Sequence, residues 1–277
     1  MPSPTEITSA QLARLSGTPE APVLIDLRID ADFDDDPRLI PAAFRHDFTD
    51  IEALAPALYG RGVVVYCQKG RKISQGAVAL LRCYGIPAES LEGGQFAWRD
   101  AGLPMVPAAA LPPIRPDGGS LWVTRHRPKI DRIACPWLIR RFVDPKARFL
   151  FVAPSEVEAV AEKFAATPFD IEGVRFSHDG DRCSFDVMIE AFGLTSDALL
   201  RLARVVRGAD TNRHDLAPQS AGLLAASVGL SRMYKNDLEQ LDAGLQLYDA
   251  FYRWARDGFE EGHDWPASAP ASGGAVR

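Results

Sequence analysis

The first hundred residues alternate short apolar runs with amphipathic stretches. The apolar runs VLIDLR (23–28), VVVYC (63–67) and AESLEGG (88–94) predict strands. Predicted helices follow Asp50 as far as Gly60, run from Ser74 to about Tyr84 with Gly85 as the stop, and continue through Trp98. Nearly unbroken apolar strands that alternate with helices are typical of a parallel sheet covered on both faces. The pattern therefore predicts an α/β fold for this part of the chain.

Polar and apolar positions change their spacing after residue 120. Strands are predicted at LWVTR (121–125) and RFLFV (148–152), with a helix after Asp131 between them. Helices dominate from there. The pairs Ser155 with Glu158 and Asn236 with Glu239 mark predicted helix starts, and the second of these helices runs to about Asp257. Two further helices are predicted between Ser184 and Gly193 and between Thr195 and Gly208. The second half is therefore expected to be mixed α/β and mostly helical.

A break in composition separates the two patterns. The stretch PMVPAAALPPIRPDGGS (104–120) holds five prolines and a double glycine, which cannot sustain a helix or a central strand. We therefore expect a first domain at 1–105, a linker at 106–120 and a second domain at 121–258. The remaining residues, 259–277, include PASAPASGGAVR and are expected to form a disordered tail.

Composition narrows the function classes only slightly. The 277 residues are 47% hydrophobic and carry 31 basic against 37 acidic side chains, which favours a globular protein and argues against general nucleic-acid or anionic-membrane binding. The four cysteines form no CxxC pair, and no signal peptide or bilayer-length apolar run is present. We expect a soluble cytoplasmic protein with reduced thiols.

Cys67 stands in a chemically suggestive context. It ends an apolar strand, and Gln68, Lys69, Gly70, Arg71 and Lys72 lead into the next predicted helix. Backbone amides at a helix N-terminus and three nearby cations would lower a thiol pKa. An unpaired cysteine at a strand end is more often a small apolar residue, so both interpretations are open. Cys83 lacks such a setting and is predicted to lie in the core.

The loop length distinguishes between two families of anion-binding cysteine loops. Tyrosine-phosphatase loops place arginine six positions after the cysteine, where this chain has Ile73. Rhodanese loops are one residue shorter, and their last position, usually arginine, is Lys72 here. The segments LIDLR (with Asp26 and Arg28), LIPAAF (39–44) and EGGQFAWRDAGLPMV (92–106) also resemble rhodanese sequences. Almost the whole first domain therefore resembles the rhodanese family.

This resemblance implies an enzyme. Cys67 would take sulfane sulfur from an anionic donor such as thiosulfate, form a persulfide, and pass the sulfur to a thiol acceptor, with no cofactor required. Lys72 would share the catalytic role, and Gln68, Lys69, Gly70 and Arg71 would form the anion-binding loop. Lysine departs from the family pattern because its point charge cannot bind two oxyanion oxygens at once. A further alternative is a thiol reductase in which Cys135 or Cys183 acts as the resolving cysteine for Cys67.

The second half resembles another family. The blocks RPKIDRIACPWLIRRFVDPKARFLFV (127–152), RCSFDVMIEAFGL (182–194) and VRGADTNRHDLAPQSAGLLAASVGLS (206–231) are similar to the C-terminal domain of chromate-resistance protein B. The resemblance implies a role in resistance to chromate or another oxyanion. It leaves open a non-catalytic sensor or binding protein for chromate or a metal ion.

Charge and residue type give candidates for a site in this half. Residues 121–149 carry eight basic and two acidic side chains, which suits either an oxyanion site or a solvated face. The candidate residues for an oxyanion or metal are Arg127, Asp131, Arg132, Arg140, His178, Cys183, Asp186 and Asp210. No pair of them has a spacing that fixes metal geometry, and loop carboxylates before helices are often caps. The long helix after Asn236 could pack in its own core or face a partner chain.

Overall fold

A computed structural model describes residues 5–116 and 118–262 of the protein. The predicted disordered tail lies outside the described residues from 263 to 277, so only Phe259 to Gly262 of that segment belong to the structure. Among the described residues, no helix is both long and apolar enough to cross a membrane.

The first half is built on a parallel sheet. Its strands are β1 (Glu6–Ile7), β2 (Val23–Asp26), β3 (Arg38–Leu39), β4 (Ala43–Arg45), β5 (Val63–Tyr66), β6 (Ala88–Leu91) and β7 (Val106–Pro107). Five of them form one sheet in the order β1-β6-β5-β2-β4, and all neighbours in it run parallel. The other two, β3 and β7, form a separate antiparallel pair. The predicted α/β fold with a parallel sheet is confirmed.

Helices cover both faces of this sheet. They are α1 (Ser9–Leu15), α2 (Asp30–Asp35), α3 (Ala55–Leu58), α4 (Lys72–Cys83) and α5 (Gly94–Asp100), with 3₁₀ turns at Phe48–Leu54 and Ala108–Ala110. Because side chains alternate along a strand, Val63 and Val65 of β5 pack into the core that includes α4, while Val64 and Tyr66 pack into the opposite core with Leu12 of α1. The four consecutive apolar residues of β5 thus serve two cores.

Three local predictions for the first half were wrong. The helical segment before Gly60 begins at Phe48, because Asp47, and not Asp50, caps it by accepting from the Thr49 N–H. Helix α4 begins at Lys72, two residues before Ser74. Cys83 is exposed, because it lies in the last turn of α4 on the face away from the sheet.

The second half adds a three-stranded parallel sheet to a helical layer. The strands β8 (Leu121–Arg125), β9 (Arg148–Val152) and β10 (Thr167–Pro168) are arranged in the order β10-β8-β9. The helices are α6 (Asp131–Leu138), α7 (Val157–Phe164), α8 (Ser184–Ala191), α9 (Asp197–Asp210), α10 (Gln219–Met233) and α11 (Asp237–Asp257), and a π-turn at Ile139–Val143 prolongs α6. A mostly helical mixed domain was expected, and the structure has one.

Helix starts in this half agree only partly with the predicted caps. Asn236 caps α11 by accepting from the Leu238 and Glu239 N–H groups, as predicted. Ser155 does not cap α7, since it lies in a preceding 3₁₀ turn (Pro154–Glu156). The other two starts are shifted by one residue, with Cys183 in place of Ser184 before α8 and Ser196 in place of Thr195 before α9.

The two halves pack against each other through the proline-rich segment and around it. Val106 and Ala110 are buried in the core of the second half, and Leu111 packs against cores of both halves. The Ala42 N–H donates to the Phe142 carbonyl at 2.7 Å. The segment 106–120, predicted as a linker, is therefore a packed connection over the residues that the structure describes.

Candidate functional sites

Cys67 lies directly after β5, a central strand of the first sheet, where the chain turns into α4. Carboxyl ends of parallel strands form the edge at which α/β proteins place ligand sites. Only 6% of the residue is exposed. Its side chain nevertheless lines a surface pocket, so the sulfur is sheltered and still within reach of a small molecule.

A second glycine-containing turn holds the Cys67 loop in shape. Gly70 and Gly94 both have positive φ, 64° and 62°. A Cβ on Gly94 would lie 2.3 Å from the Cys67 carbonyl oxygen and 2.4 Å from the Gly70 nitrogen. The Gln95 N–H donates to that Cys67 oxygen at 3.0 Å, and the Phe96 N–H donates to the Gln68 oxygen at 3.1 Å. The EGGQF stretch therefore braces the loop by backbone contact, which requires glycine.

The surroundings of Cys67 favour its thiolate form. Burial alone would raise the pKa of the thiol, but the Ser74 hydroxyl and the backbone N–H groups of Arg71, Ser74 and Lys69 lower it, and the net pKa lies below the ordinary value. Ser74 Oγ is buried and has no hydrogen-bond partner in this structure, so its hydroxyl is free to donate to the Cys67 thiolate. Hydrogen bonds to the anion outweigh the cost of desolvation here.

The pocket in front of Cys67 combines cationic and apolar walls. Lys69, Arg71 and Lys72 are exposed along one side. The remaining lining is mainly apolar, with Ile29, Phe48, Ile51, Ile73 and Leu80, and it also contains the Asp32 carboxylate. Lys72 is the first residue of α4, so both its ammonium and the positive end of the helix face the same region. Among the described residues that line the pocket, Cys67 is the one cysteine.

Arg28, part of the rhodanese-like LIDLR run, does not contribute to this pocket. Its guanidinium is fully buried against Asp26, with Nη2 at 2.5 Å from Oδ2, and donates to the carbonyl oxygens of Asp36 and Arg38. The pair therefore ties β2 to the chain before β3 and has a structural role.

In the second half, four predicted residues meet at one place with a fifth that sequence reasoning missed. His178 Nε2 lies 3.5 Å from Asp131 Oδ2, 3.5 Å from Asp170 Oδ1 and 3.2 Å from Asp210 Oδ2. Arg132 Nε joins them at 3.3 Å from Asp170 Oδ2. The missed residue, Asp170, comes two positions after the short strand β10. The available signal was a carboxylate placed just after the end of a strand. We name Asp131, Asp170, His178 and Asp210 the acidic cluster.

The charged groups of the acidic cluster shift one another's pKa values. Burial and the charges of Asp210 and Asp170 raise the pKa of Asp131 well above its usual range. Burial would also raise the pKa of Asp170, but hydrogen bonds with His178, Ser184 and Arg125 lower it overall. The hydrogen bond to Asp170, with the other carboxylates nearby, raises the pKa of His178 to about 9. The His178 imidazolium, together with the guanidinium groups of Arg125 and Arg132, balances part of this negative charge.

The remaining second-half candidates lie apart from the acidic cluster or behind it. Arg127 donates to the Ser231 carbonyl oxygen, and Arg140 donates to the Ala147 carbonyl oxygen and pairs with Asp242 at 3.4 Å. Asp186 pairs with Arg207 and caps α8 through the Cys183 N–H. Cys183 is buried, and burial with the charges of Asp131 and Asp186 raises the pKa of its thiol, as its predicted structural role requires. The eight predicted residues thus do not form a single site.

Comparison with known proteins agrees with the two-part architecture. Residues 122–255 match the model of the ChrB C-terminal domain, and residues 8–101 match the model of the rhodanese-like domain. Protein ChrB of Cupriavidus metallidurans is 32% identical over 195 residues, which cover 66% of this chain and 59% of that protein. The chain thus spans somewhat more than half of that relative's length.

Solved structures are similar over about a third of the chain. A protein of unknown function from Rhodopseudomonas palustris, described as a possible tyrosine phosphatase, is 27% identical with a TM-score of 0.32, covering 36% of this chain and 83% of that one. Thiosulfate sulfurtransferase from Pseudomonas aeruginosa is 26% identical with a TM-score of 0.32, covering 38% of this chain and 20% of that one. The family matches show that the chain joins a rhodanese-like domain at residues 8–101 to a ChrB C-terminal domain at residues 122–255.

Proposed function

We propose that the protein is a rhodanese-type sulfurtransferase that forms a persulfide on Cys67, and that it acts in resistance to chromate or a related oxyanion. The observation that carries the proposal is the Cys67 environment, where Ser74 and three backbone amides lower the thiol pKa at the head of α4. A thiolate is the form of cysteine that attacks sulfur.

The reaction would take two steps. The Cys67 thiolate attacks the outer sulfur of thiosulfate, the S–S bond of the donor breaks, and sulfite leaves with the electron pair. An acceptor thiolate then attacks the terminal sulfur of the Cys67 persulfide, and the Cys67 thiolate leaves. The loop amides would stabilise the anionic sulfur in both states, because they are already oriented toward it.

The pocket walls support this assignment of donor and acceptor. Lys69, Arg71 and Lys72 would attract an anionic donor. Exposed apolar surface at Ile29 (44% exposed) and Phe48 (38%) suits the carbon skeleton of a thiol acceptor. A metal or organic cofactor has no step to perform in this scheme.

Mass spectrometry combined with a turnover assay tests the proposal. The full chain is incubated with thiosulfate, and wild type is compared with Cys67→Ser and with Cys83→Ser, whose cysteine is exposed but outside the pocket. We expect a mass increase of one sulfur atom, and sulfur transfer to dithiothreitol, in wild type and in Cys83→Ser only. Equal turnover in Cys67→Ser would disprove the proposal.

The alternative is a non-catalytic sensor or binding protein for chromate or a metal ion, in which the rhodanese-like domain serves as a docking module. It predicts no sulfur on Cys67 and no turnover by wild type. The third alternative, thiol reduction with a resolving cysteine of the same chain, finds little support. Cys135 and Cys183 are buried in the core of the second half, away from the Cys67 pocket.

A further inference from the structure

We propose that the second domain binds one divalent first-row transition-metal ion between Asp131, Asp170, Asp210 and His178. This site is separate from the Cys67 pocket and does not depend on sulfur transfer. Three carboxylates and an imidazole converge there from four different segments of the chain: the start of α6, the end of α9 and the loops after β10 and before α8.

The separations between ligand atoms fit a metal centre. Two ligands about 2.0–2.2 Å from one ion in tetrahedral geometry lie about 3.3–3.6 Å from each other, and cis ligands of an octahedron lie about 3 Å apart. The three distances from His178 Nε2 to carboxylate oxygens are 3.5, 3.5 and 3.2 Å. Ligand atoms of Asp131, Asp170 and His178 all lie within 4.8 Å of one another. Little movement is required to place an ion among them.

A buried oxygen without a partner points independently to a missing ligand. The Asp131 side chain is 1% exposed, and its Oδ1 has no hydrogen-bond partner. Its Oδ2 faces His178 and accepts from the Phe185 N–H at 3.4 Å. A buried carboxylate oxygen left unpaired costs free energy, and a bound cation would supply the missing contact.

Neighbouring groups orient the ligands as metal sites require. Asp170 Oδ2 is held by Arg125 at 3.0 Å and by Arg132 at 3.3 Å, which leaves Oδ1 to face His178. The Ser184 hydroxyl donates to that Oδ1 at 2.9 Å. Such outer contacts fix the direction of a ligand and are a regular part of metal centres.

The donor set and its exposure restrict the ion. Carboxylates with one imidazole suit Mn²⁺, Fe²⁺ or Zn²⁺, whereas Ca²⁺ and Mg²⁺ prefer oxygen donors alone and Cu⁺ prefers sulfur. The His178 side chain is 42% exposed and that of Asp210 is 19% exposed, while Asp131 closes the inner end. An ion can therefore enter from solvent and keep an open coordination position on that side.

Manganese binding to the full chain tests the proposal. Mn²⁺ is used because it has little affinity for thiols such as Cys67. After treatment with a chelator, wild type, His178→Ala and His126→Ala are titrated with Mn²⁺ and free Mn²⁺ is followed by electron paramagnetic resonance. His126 is the matched control, since it is an exposed histidine of the same domain outside the cluster.

We expect one Mn²⁺ per chain in wild type and in His126→Ala, competed by Zn²⁺, and an affinity at least about tenfold lower in His178→Ala. Asp210→Asn, a near-isosteric change at the partly exposed rim, should weaken binding similarly with its circular dichroism unchanged, and it replaces His178→Ala if that variant does not fold. The proposal is overturned if wild type shows no saturable Mn²⁺ or Zn²⁺ binding. Equal affinities in wild type and the cluster variants would also overturn it.

Discussion

At the scale of single residues, Cys67 shows how burial and activation coexist. A buried thiol usually has a raised pKa, and Cys183 follows that rule. Cys67 departs from it because several hydrogen-bond donors meet at its sulfur. The difference between these two cysteines lies in their neighbours and not in their exposure.

The pH dependence of Cys67 alkylation follows from these donors. Hydrogen bonds to the thiolate favour the charged form, so the rate of reaction with iodoacetamide should reach half its maximum below the pH of an ordinary thiol. Ser74→Ala removes one donor and should move that midpoint upward. All measurements use the Cys83→Ser background, because Cys83 is exposed. A midpoint that is unchanged or lower in Ser74→Ala would contradict the argument, and Ser90→Ala, another buried serine, is the control.

Lys72 should affect donor binding more than chemistry. An exposed pair of a cation and an anion contributes about 0.2–1 kcal/mol to binding, which is up to about a fivefold effect. We expect Lys72→Ala to raise the KM for thiosulfate by about that factor with little change in kcat. Lys72→Arg should retain or lower the KM, because its planar fork binds two oxygens. An equal loss of kcat in both variants would mean that Lys72 acts on the sulfur itself.

At the scale of elements, the Cys67 loop and the turn before α5 form one unit. Gly70 and Gly94 approach so closely that each would place a Cβ within 2.6 Å of the other's backbone nitrogen. The resemblance of EGGQF to rhodanese sequences thus has a physical reason, since the turn supplies the N–H groups that hold the Cys67 and Gln68 carbonyl oxygens.

Alanine substitutions at Gly94 and Gly76 distinguish the contact of Gly94 with the Cys67 loop from the ordinary effect of replacing a glycine inside a helix. Gly94→Ala should lower the free energy of unfolding by about 1–3 kcal/mol and abolish persulfide formation, because its φ of 62° and the Cys67 carbonyl both exclude a Cβ. Gly76→Ala, inside α4 with open space around it, should raise stability by about 0.5–1 kcal/mol. Urea unfolding measures both, and an unchanged stability of Gly94→Ala would refute the brace.

At the scale of the whole molecule, the two domains share a packed boundary. Gly17 of the first domain lies against the Phe142 ring of the second, and that ring is held between Trp137 and Tyr252 at centroid distances of 5.7 and 5.5 Å. Arg256 donates from the second domain to the Arg14 carbonyl oxygen at 3.0 Å. These contacts limit independent movement of the halves.

A pair of matched glycines tests this boundary. Gly17 and Gly60 have almost the same φ, 75° and 76°, but a Cβ would meet Phe142 at 2.1 Å in the first case and nothing within 4 Å in the second. Gly60→Ala should cost about 1–2 kcal/mol from its backbone alone. Gly17→Ala should cost at least about 1 kcal/mol more and should speed proteolysis within 106–120. Equal losses of stability and equal proteolysis rates would show that the two domains are not in contact at Gly17 and Phe142.

The local pattern was sufficient for much of the fold. The parallel sheet, the strands at 121–125 and 148–152 and the start of α11 follow from apolar runs and caps, which depend on neighbours within a few residues. The predictions failed where one residue decides a boundary, as at Asp47, Cys183 and Ser196, because several polar residues in a row can serve as a cap. Cys83 was misplaced because helical position alone does not tell which face meets the sheet.

The sequence by itself determined the two-domain plan and the position of Cys67 at a strand-to-helix loop, since both are written in consecutive residues. Only the tertiary structure decided how that loop is braced by Gly94 and that Asp131, Asp170 and Asp210 all lie against His178. Most of these contacts join residues more than twenty positions apart, and no spacing along the chain encodes which side chains will converge. The physical reason is that packing of β10 and of α6, α8 and α9 sets those distances, whereas the linear pattern sets only the elements themselves.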